Sequence, residues 1–187
     1  MKLLFVNSCV RAESRTLQLC RAYLEGLKKE WTIQEVDLQK ESLVPYTEQM
    51  LEKRAADIQN HDYSAPVFQY AREFALADAV LIGAPYWDLS FPSSLKVYFE
   101  HICVNGITFR YSEAGLLVPM CRAKELLYIT TCGGYIGECN SADQYIRDLC
   151  GMFGIGDVRF FAAEGLDIAE NNAALIMARA KKELCKL

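Results

Sequence analysis

The chain has 187 residues, 52% of them hydrophobic and 24% charged, a composition that can bury a core and excludes global disorder. Twenty Lys and Arg stand against 24 Asp and Glu, a net charge of −4, which leaves no global electrostatic reason to bind nucleic acid. The length suits one domain.

The opening Met1-Lys2-Leu3-Leu4-Phe5-Val6 is too short for the apolar region of a signal peptide and reaches polar Asn7 at once. No apolar run approaches the ~18 residues of a membrane helix, so a soluble, cytoplasmic protein with no membrane partner is expected. Residues 2–7 read as a short apolar strand. Residues 14–28 follow as a helix with apolar positions at Leu17, Leu19, Cys20, Leu24 and Leu27. Residues 31–38 alternate through Ile33, Val36 and Leu38 and predict a second strand. A polar stretch, 39–46, leads to a polar helix over 47–59. Another helix, 64–76, carries Val67, Tyr70, Ala71 and Phe74 on one side.

Residues 79–84 (AVLIGA) are apolar throughout, as expected of a central parallel strand covered on both faces. A helix over 92–103 starts with proline in its first turn. Residues 106–120 are irregular or form a hairpin, and 125–131 (ELLYITT) form the next strand. Ser141-x-x-Gln144 is a capping-box pattern opening a helix over 141–152. The last strand is 157–163, and Asp167-x-x-Glu170 caps a final helix ending near residue 184. Five strands alternating with helices make a single α/β domain over residues 1–187, with a parallel sheet covered on both faces.

Eight cysteines (9, 20, 103, 121, 132, 139, 150, 185) include no C-x-x-C pair, and there are two histidines, so no metal is expected and the thiols read as reduced packing residues. Ligands of such sheets bind beyond the carboxyl ends of the strands, where strand order reverses. That directs attention to the loops after the first, third and fourth strands. The first, N7-S-C-V-R-A-E-S14-R15-T16, has no glycine and matches neither common phosphate-binding glycine pattern. It offers the hydroxyls of Ser8, Ser14 and Thr16 and the guanidiniums of Arg11 and Arg15 at a helix N-terminus, a setting suited to a phosphate monoester. Ser14 as an ordinary cap is the plainer alternative. The second loop, starting A84-P-Y-W-D-L-S-F91, could wall a flat ring with Tyr86, Trp87 and Phe91, or simply cover the sheet edge. The third, T130-T-C-G-G-Y135, has paired glycines whose N–H groups could meet negative charge on a ring, or make a plain turn.

With these loops in hand, the sequence resembles the flavodoxin-like FMN-dependent NAD(P)H oxidoreductases, most of all the FMN-dependent NADH-azoreductases and more distantly the NAD(P)H:quinone reductases. The resemblance is densest in A84-P-Y-W-D-L-S-F-P-S-S-L-K-V-Y-F-E100, N105-G-I-T-F-R-Y-S-E113 and I129-T-T-C-G-G134. It implies a five-stranded sheet in the order 2-1-3-4-5. It also implies FMN as cofactor, NAD(P)H as reductant, and ping-pong hydride transfer to a small-molecule quinone- or azo-type acceptor. Carried over, Ser8, Ser14, Arg15 and Thr16 hold the FMN phosphate. Pro85, Tyr86, Trp87, Asp88 and Leu89 line one side of the isoalloxazine, and Thr131, Cys132, Gly133 and Gly134 the other. The family is usually dimeric, which puts Phe109 and Tyr111 beside a substrate pocket of the same or the neighbouring subunit; Tyr135 or Tyr111 is the implied proton donor. Three positions depart from the family pattern: Asp88 replaces its usual Asn, Leu89 its Phe, and Cys132 a residue that is often Arg.

Three rivals are weighed against this expectation. A thiol enzyme would draw on His101, Cys103 and Cys132, although residues at i and i+2 do not face each other on a helix. A non-enzymatic reading is a flavodoxin-like electron carrier or an FMN-binding regulatory module, although small flavodoxins are usually more acidic and carry a glycine in the phosphate loop. A dinucleotide reader would use Asp37 on the ribose but lacks the accompanying glycines.

Overall fold

The computed structural model describes residues 1–138 and 140–187. Strand β1 (Lys2–Asn7) leads into α1 (Arg15–Gly26), β2 (Thr32–Asp37) into α2 (Glu48–Gln59), and a short 3-10 turn at Pro66–Phe68 into α3 (Gln69–Ala75). Then come β3 (Ala79–Gly83), α4 (Ser93–Ile102), β4 (Phe109–Tyr111) and β5 (Leu117–Pro119). The chain closes with β6 (Glu125–Thr131), α5 (Ser141–Phe153), β7 (Asp157–Ala163) and α6 (Ala173–Leu184). The main sheet is parallel with order β2-β1-β3-β6-β7, which is the expected 2-1-3-4-5 once the separate β4-β5 hairpin is counted in the numbering.

The central strands are apolar on both faces because each face is covered. On one side Leu3, Phe5, Leu81, Leu127 and Ile129 pack with Leu19 and Cys20 of α1 and Met177 and Leu184 of α6. On the other, Leu4, Val6, Val80, Ile82, Leu126 and Tyr128 meet Leu95, Tyr98 and Phe99 of α4 and Ile146 and Phe153 of α5. Successive strand residues thus alternate between two cores, the period-2 rule applied to a sheet buried twice. Gly83 ends β3 where a Cβ would lie 2.6 Å from Cys20 Sγ, so its lack of a side chain lets α1 settle onto the sheet. Helix α2 buries none of its residues, in keeping with its polar sequence.

Three expectations need correction. Helix α5 is capped by Asn140, whose Oδ1 accepts from Asp143 N at 3.0 Å, rather than by Ser141. Asn is as good a cap as Ser, and standing one residue earlier it lengthens the helix. Helix α6 is capped by Asn172, not Asp167, because the Asp167 carboxylate is engaged elsewhere. The helix expected over 64–76 is broken into the 3-10 turn and α3, with Pro66 opening the turn.

Candidate functional site

The order of the sheet reverses at β1, from which the chain moves first to β2 and later to β3 on the other side. At that carboxyl edge the first loop turns through a Ser14 N–H to Arg11 carbonyl bond of 3.0 Å. Ser14 caps α1, its Oγ accepting from Leu17 N at 3.3 Å, and the first full helical bond runs from Gln18 N to the Ser14 carbonyl at 3.0 Å. The N–H groups of Arg15 and Thr16 precede that bond and have no acceptor within the helix. They sit at the positive end of the α1 dipole, where backbone alone can meet an anion.

The side chains of this loop are otherwise employed. Thr16 is fully buried and its Oγ1 shares a 2.7 Å hydrogen bond with Thr131 Oγ1 on β6. Ser8 is fully buried and its Oγ shares a 3.0 Å bond with Ser94 Oγ at the start of α4. These two hydroxyls, expected on a phosphate, bolt the loop to its neighbours, because a buried hydroxyl left unpaired costs about 1–3 kcal/mol. Arg15 donates to the Leu166 carbonyl at 3.0 Å and to Asp167 Oδ1 at 2.7 Å.

In the second loop Tyr86 N donates to the Thr131 carbonyl at 3.1 Å, tying it to β6. Trp87 and Ser90 exchange backbone bonds of 3.0 and 2.8 Å around a two-residue turn. The central residues Asp88 and Leu89 have φ of +50° and +63°, the left-handed pair such a turn requires. Both are exposed at the tip, outside the wall of the cleft, so the Asp88 carboxylate is held away from it. Phe91 is not a ring wall either: it packs at 5.7 Å against both Phe99 and Tyr145.

The third loop is zipped to the segment after β7. The carbonyls of Cys132, Gly133 and Gly134 accept from Leu166, Asp167 and Gly165 at 3.2, 2.9 and 2.7 Å. The Cys132 N–H donates to the Ala163 carbonyl at 2.9 Å, so what this loop can still present to a ligand is the N–H of Gly133 and Gly134. A Cβ on Gly133 would lie 2.4 Å from Asp167 Oδ2, so a side chain there would push the carboxylate aside.

Between the three loops lies a cleft of about 250 Å³. Its walls include Ser14, Arg15 and Thr16 from the first loop, Pro85, Tyr86 and Trp87 from the second, and Thr131, Cys132 and Gly133 from the third. Arg11, Glu13 and Asp167 join them, so two cations face two carboxylates. The roles of Glu13 and Asp167 were missed from sequence; the strand-end rule applied to the loop after β7 was the signal that points to Asp167. Gly134 lies just beyond the wall, and Tyr135 is 69% exposed with its OH accepting from Asn171 Nδ2 at 3.3 Å. Phe109 and Tyr111 sit on the β4-β5 hairpin, stacked edge-to-face at 5.8 Å and not among the residues around the cleft.

The rival sites dissolve on the same grounds. His101 donates to the Val44 carbonyl at 2.9 Å and stacks on Tyr46 at 4.3 Å. Burial pushes the Cys103 thiol up to about 11, the reverse of nucleophile activation. Asp37 accepts from Gln39 N and pairs with Lys40 at 2.7 Å, closing the turn after β2. The seven described cysteines are free, and Cys139 lies outside the described residues. Among the described residues no helix is long and apolar enough to cross a membrane.

A family model described as Flavodoxin-like fold matches residues 1–187. An FMN-dependent NADH:quinone oxidoreductase 2 of Clostridium acetobutylicum is 35% identical over 177 residues, covering 89% of this chain and 88% of that protein. An FMN-dependent NADH:quinone oxidoreductase of Coprothermobacter proteolyticus is 33% identical over 195 residues, covering 97% and 95%. Among solved structures, the azoreductase from Bacillus anthracis str. Sterne aligns with a TM-score of 0.86 at 25% identity, covering 100% of this chain and 97% of that one.

Proposed function

The chain belongs to the family of flavodoxin-like fold whose model spans it from end to end, and from that premise we propose that it is an FMN-dependent enzyme passing hydride from NADH or NADPH to a quinone- or azo-type small molecule. The names of the relatives support the cofactor and the reaction class. The observation that carries the reading is the meeting, in one cleft, of the start of α1, where the Arg15 and Thr16 N–H groups lack helical acceptors, the Tyr86-Trp87 loop and the Cys132-Gly133 loop. The donor set fits the group: amide hydrogens at a helix start for a phosphate, aromatic and backbone walls for a flat ring.

Bound FMN supplies the hydride chemistry. Ser14 and the N–H groups of Arg15 and Thr16 hold its phosphate, while the hydroxyls of Ser8 and Thr16 brace the loop from behind. Pro85, Tyr86 and Trp87 line one side of the ring, on a turn shaped by Asp88 and Leu89, and Thr131, Cys132, Gly133 and Gly134 line the other. The N–H groups of Gly133 and Gly134 would meet negative charge on the ring, an effect worth about 2.7–4 kcal/mol per donor in oxyanion holes. Tyr135, two residues beyond Gly133, passes a proton through water. Reductant and acceptor would take turns beside the flavin, which gives ping-pong kinetics. Phe109 and Tyr111 reach an acceptor through a second copy of the chain, so the reading includes a homodimer formed over the apolar hairpin, where Tyr111, Leu116, Leu117 and Met120 are exposed.

The purified protein is expected to show near-UV and blue flavin bands and to oxidise NADH when a small quinone is added. A colourless preparation that takes up no added FMN refutes the reading. FMN uptake without quinone-dependent NADH oxidation supports an electron carrier in its place.

A further inference from the structure

One carboxylate in the cleft has no part in that reading. Asp167 Oδ1 holds Arg15 at 2.7 Å, and Asp167 N donates to the Gly133 carbonyl at 2.9 Å. The residue therefore joins the phosphate end of the cleft to its ring end. Arg15 begins α1, beside the amide hydrogens that await an anion, and a second of its donors goes to the Leu166 carbonyl. Its charge is already answered by an anion that belongs to the chain.

We propose that Asp167 is a positioning residue that sets the affinity of this cleft for a phosphorylated flavin: it occupies Arg15 as an internal anion, and the phosphate displaces it. The proposal rests on the FMN reading above. The Arg15 and Asp167 side chains are 38% and 65% exposed, so their pair is of the weakly held, solvent-screened kind. A phosphate monoester brings about −1.5 to −2 charges against the single charge of a carboxylate, and three acceptor oxygens against two. It also gains the Arg15 and Thr16 N–H groups, which Asp167 does not engage. Exchange on Arg15 is thus favourable, but it is costlier than binding to a free guanidinium. The Asp167 charge, once displaced, remains in the cleft wall beside the dianion, together with Glu13.

The test uses the full chain freed of flavin and titrated with FMN or riboflavin, read by quenching of flavin fluorescence. Asp167→Asn keeps the acceptor oxygen and removes the charge. At low salt it is expected to tighten FMN about tenfold, less so at high salt, and to leave riboflavin unchanged. Asp167→Glu keeps wild-type discrimination. In an Arg15→Ala background the gain from Asp167→Asn shrinks to the part that relieves direct repulsion, because the competition for Arg15 no longer exists. Unchanged or weaker FMN binding in Asp167→Asn overturns the proposal, as does an equal gain for riboflavin or a gain just as large without Arg15. Thermal melts confirm that each variant is folded. A wild-type chain that quenches neither flavin overturns the cofactor reading and the proposal with it, an outcome distinct from FMN binding that ignores Asp167.

Discussion

Replacing Thr16 by Val removes one hydroxyl of a buried pair and strands the other. The 2.7 Å bond between Thr16 Oγ1 and Thr131 Oγ1 is where the first loop is pinned to β6, and Thr16 is wholly inaccessible while Thr131 is 9% exposed. A buried polar atom deprived of its partner costs about 1–3 kcal/mol, whereas replacing both partners with apolar groups of the same shape is close to neutral. Thr131→Val leaves the hydroxyl of Thr16 with no route to water and belongs at the upper end of that range. Thr16→Val leaves the hydroxyl of Thr131 at the cleft wall, where water can reach it, and belongs at the lower end. For a chain of this size 1 kcal/mol is about 2–4 °C, so the single variants melt about 2–12 °C below wild type. The double variant returns to near wild type, a coupling of at least about 2 kcal/mol. Urea unfolding of the four proteins measures it. FMN affinity holds in Thr16→Val, because what Thr16 offers a phosphate is its N–H. Additive losses in the double variant refute the reasoning. So does a Thr16→Val protein of unchanged stability that loses FMN but keeps riboflavin, for then the hydroxyl is a ligand.

Leu89 holds φ of +63° and is 57% exposed, so it bears left-handed strain with little packing in return. Leu89→Gly is expected to stabilise by about 0.5–1 kcal/mol, the strain relieved less the entropy glycine loses on folding, and a fall in Tm would show that the leucine packs. Burial lifts the Cys9 and Cys103 thiols from the ordinary 9.0 to about 11, and Cys121 and Cys150 to about 12. The unfolded chain then releases protons at lower pH than the folded one, so the stability these thiols contribute is whole below about pH 9 and is lost progressively above it. Urea midpoints measured from neutral pH upward should decline from there, and a flat profile through pH 11 would contradict it. At neutral pH a thiol reagent should reach exposed Cys185 well before the buried cysteines.

The fold was legible because its signals are local or periodic. AVLIGA at 79–84 can be satisfied only where both faces of a strand are covered, and β3 is such a strand, between β1 and β6. The Ser14 cap was legible for the same reason, needing a partner only three residues away. Misreadings arose where two nearby residues compete for one role. Asn140 outranks Ser141 by starting the helix sooner, and Asp167 fails to cap α6 because an arginine 152 positions earlier claims it.

That last case states the physical limit for the site as well. Residue types at strand ends announce a polar cleft at the carboxyl edge, but a hydroxyl beside a helix start reads the same whether it caps the helix, binds a ligand or pins a loop. The choice is made by partners far away in the chain: Thr131 lies 115 residues from Thr16, Ser94 lies 86 from Ser8, and Asp167 lies 152 from Arg15. Backbone groups escape this ambiguity, since the first N–H groups of a helix lack acceptors wherever the helix is placed. The anion site at Arg15 and Thr16 is therefore readable as backbone, while the allegiance of the side chains around it is not. It follows that substitutions at Ser8 and Thr16 should act first on stability, and that affinity for a phosphate should answer to the charges at Arg15 and Asp167, which change the field at the helix start without touching its amides.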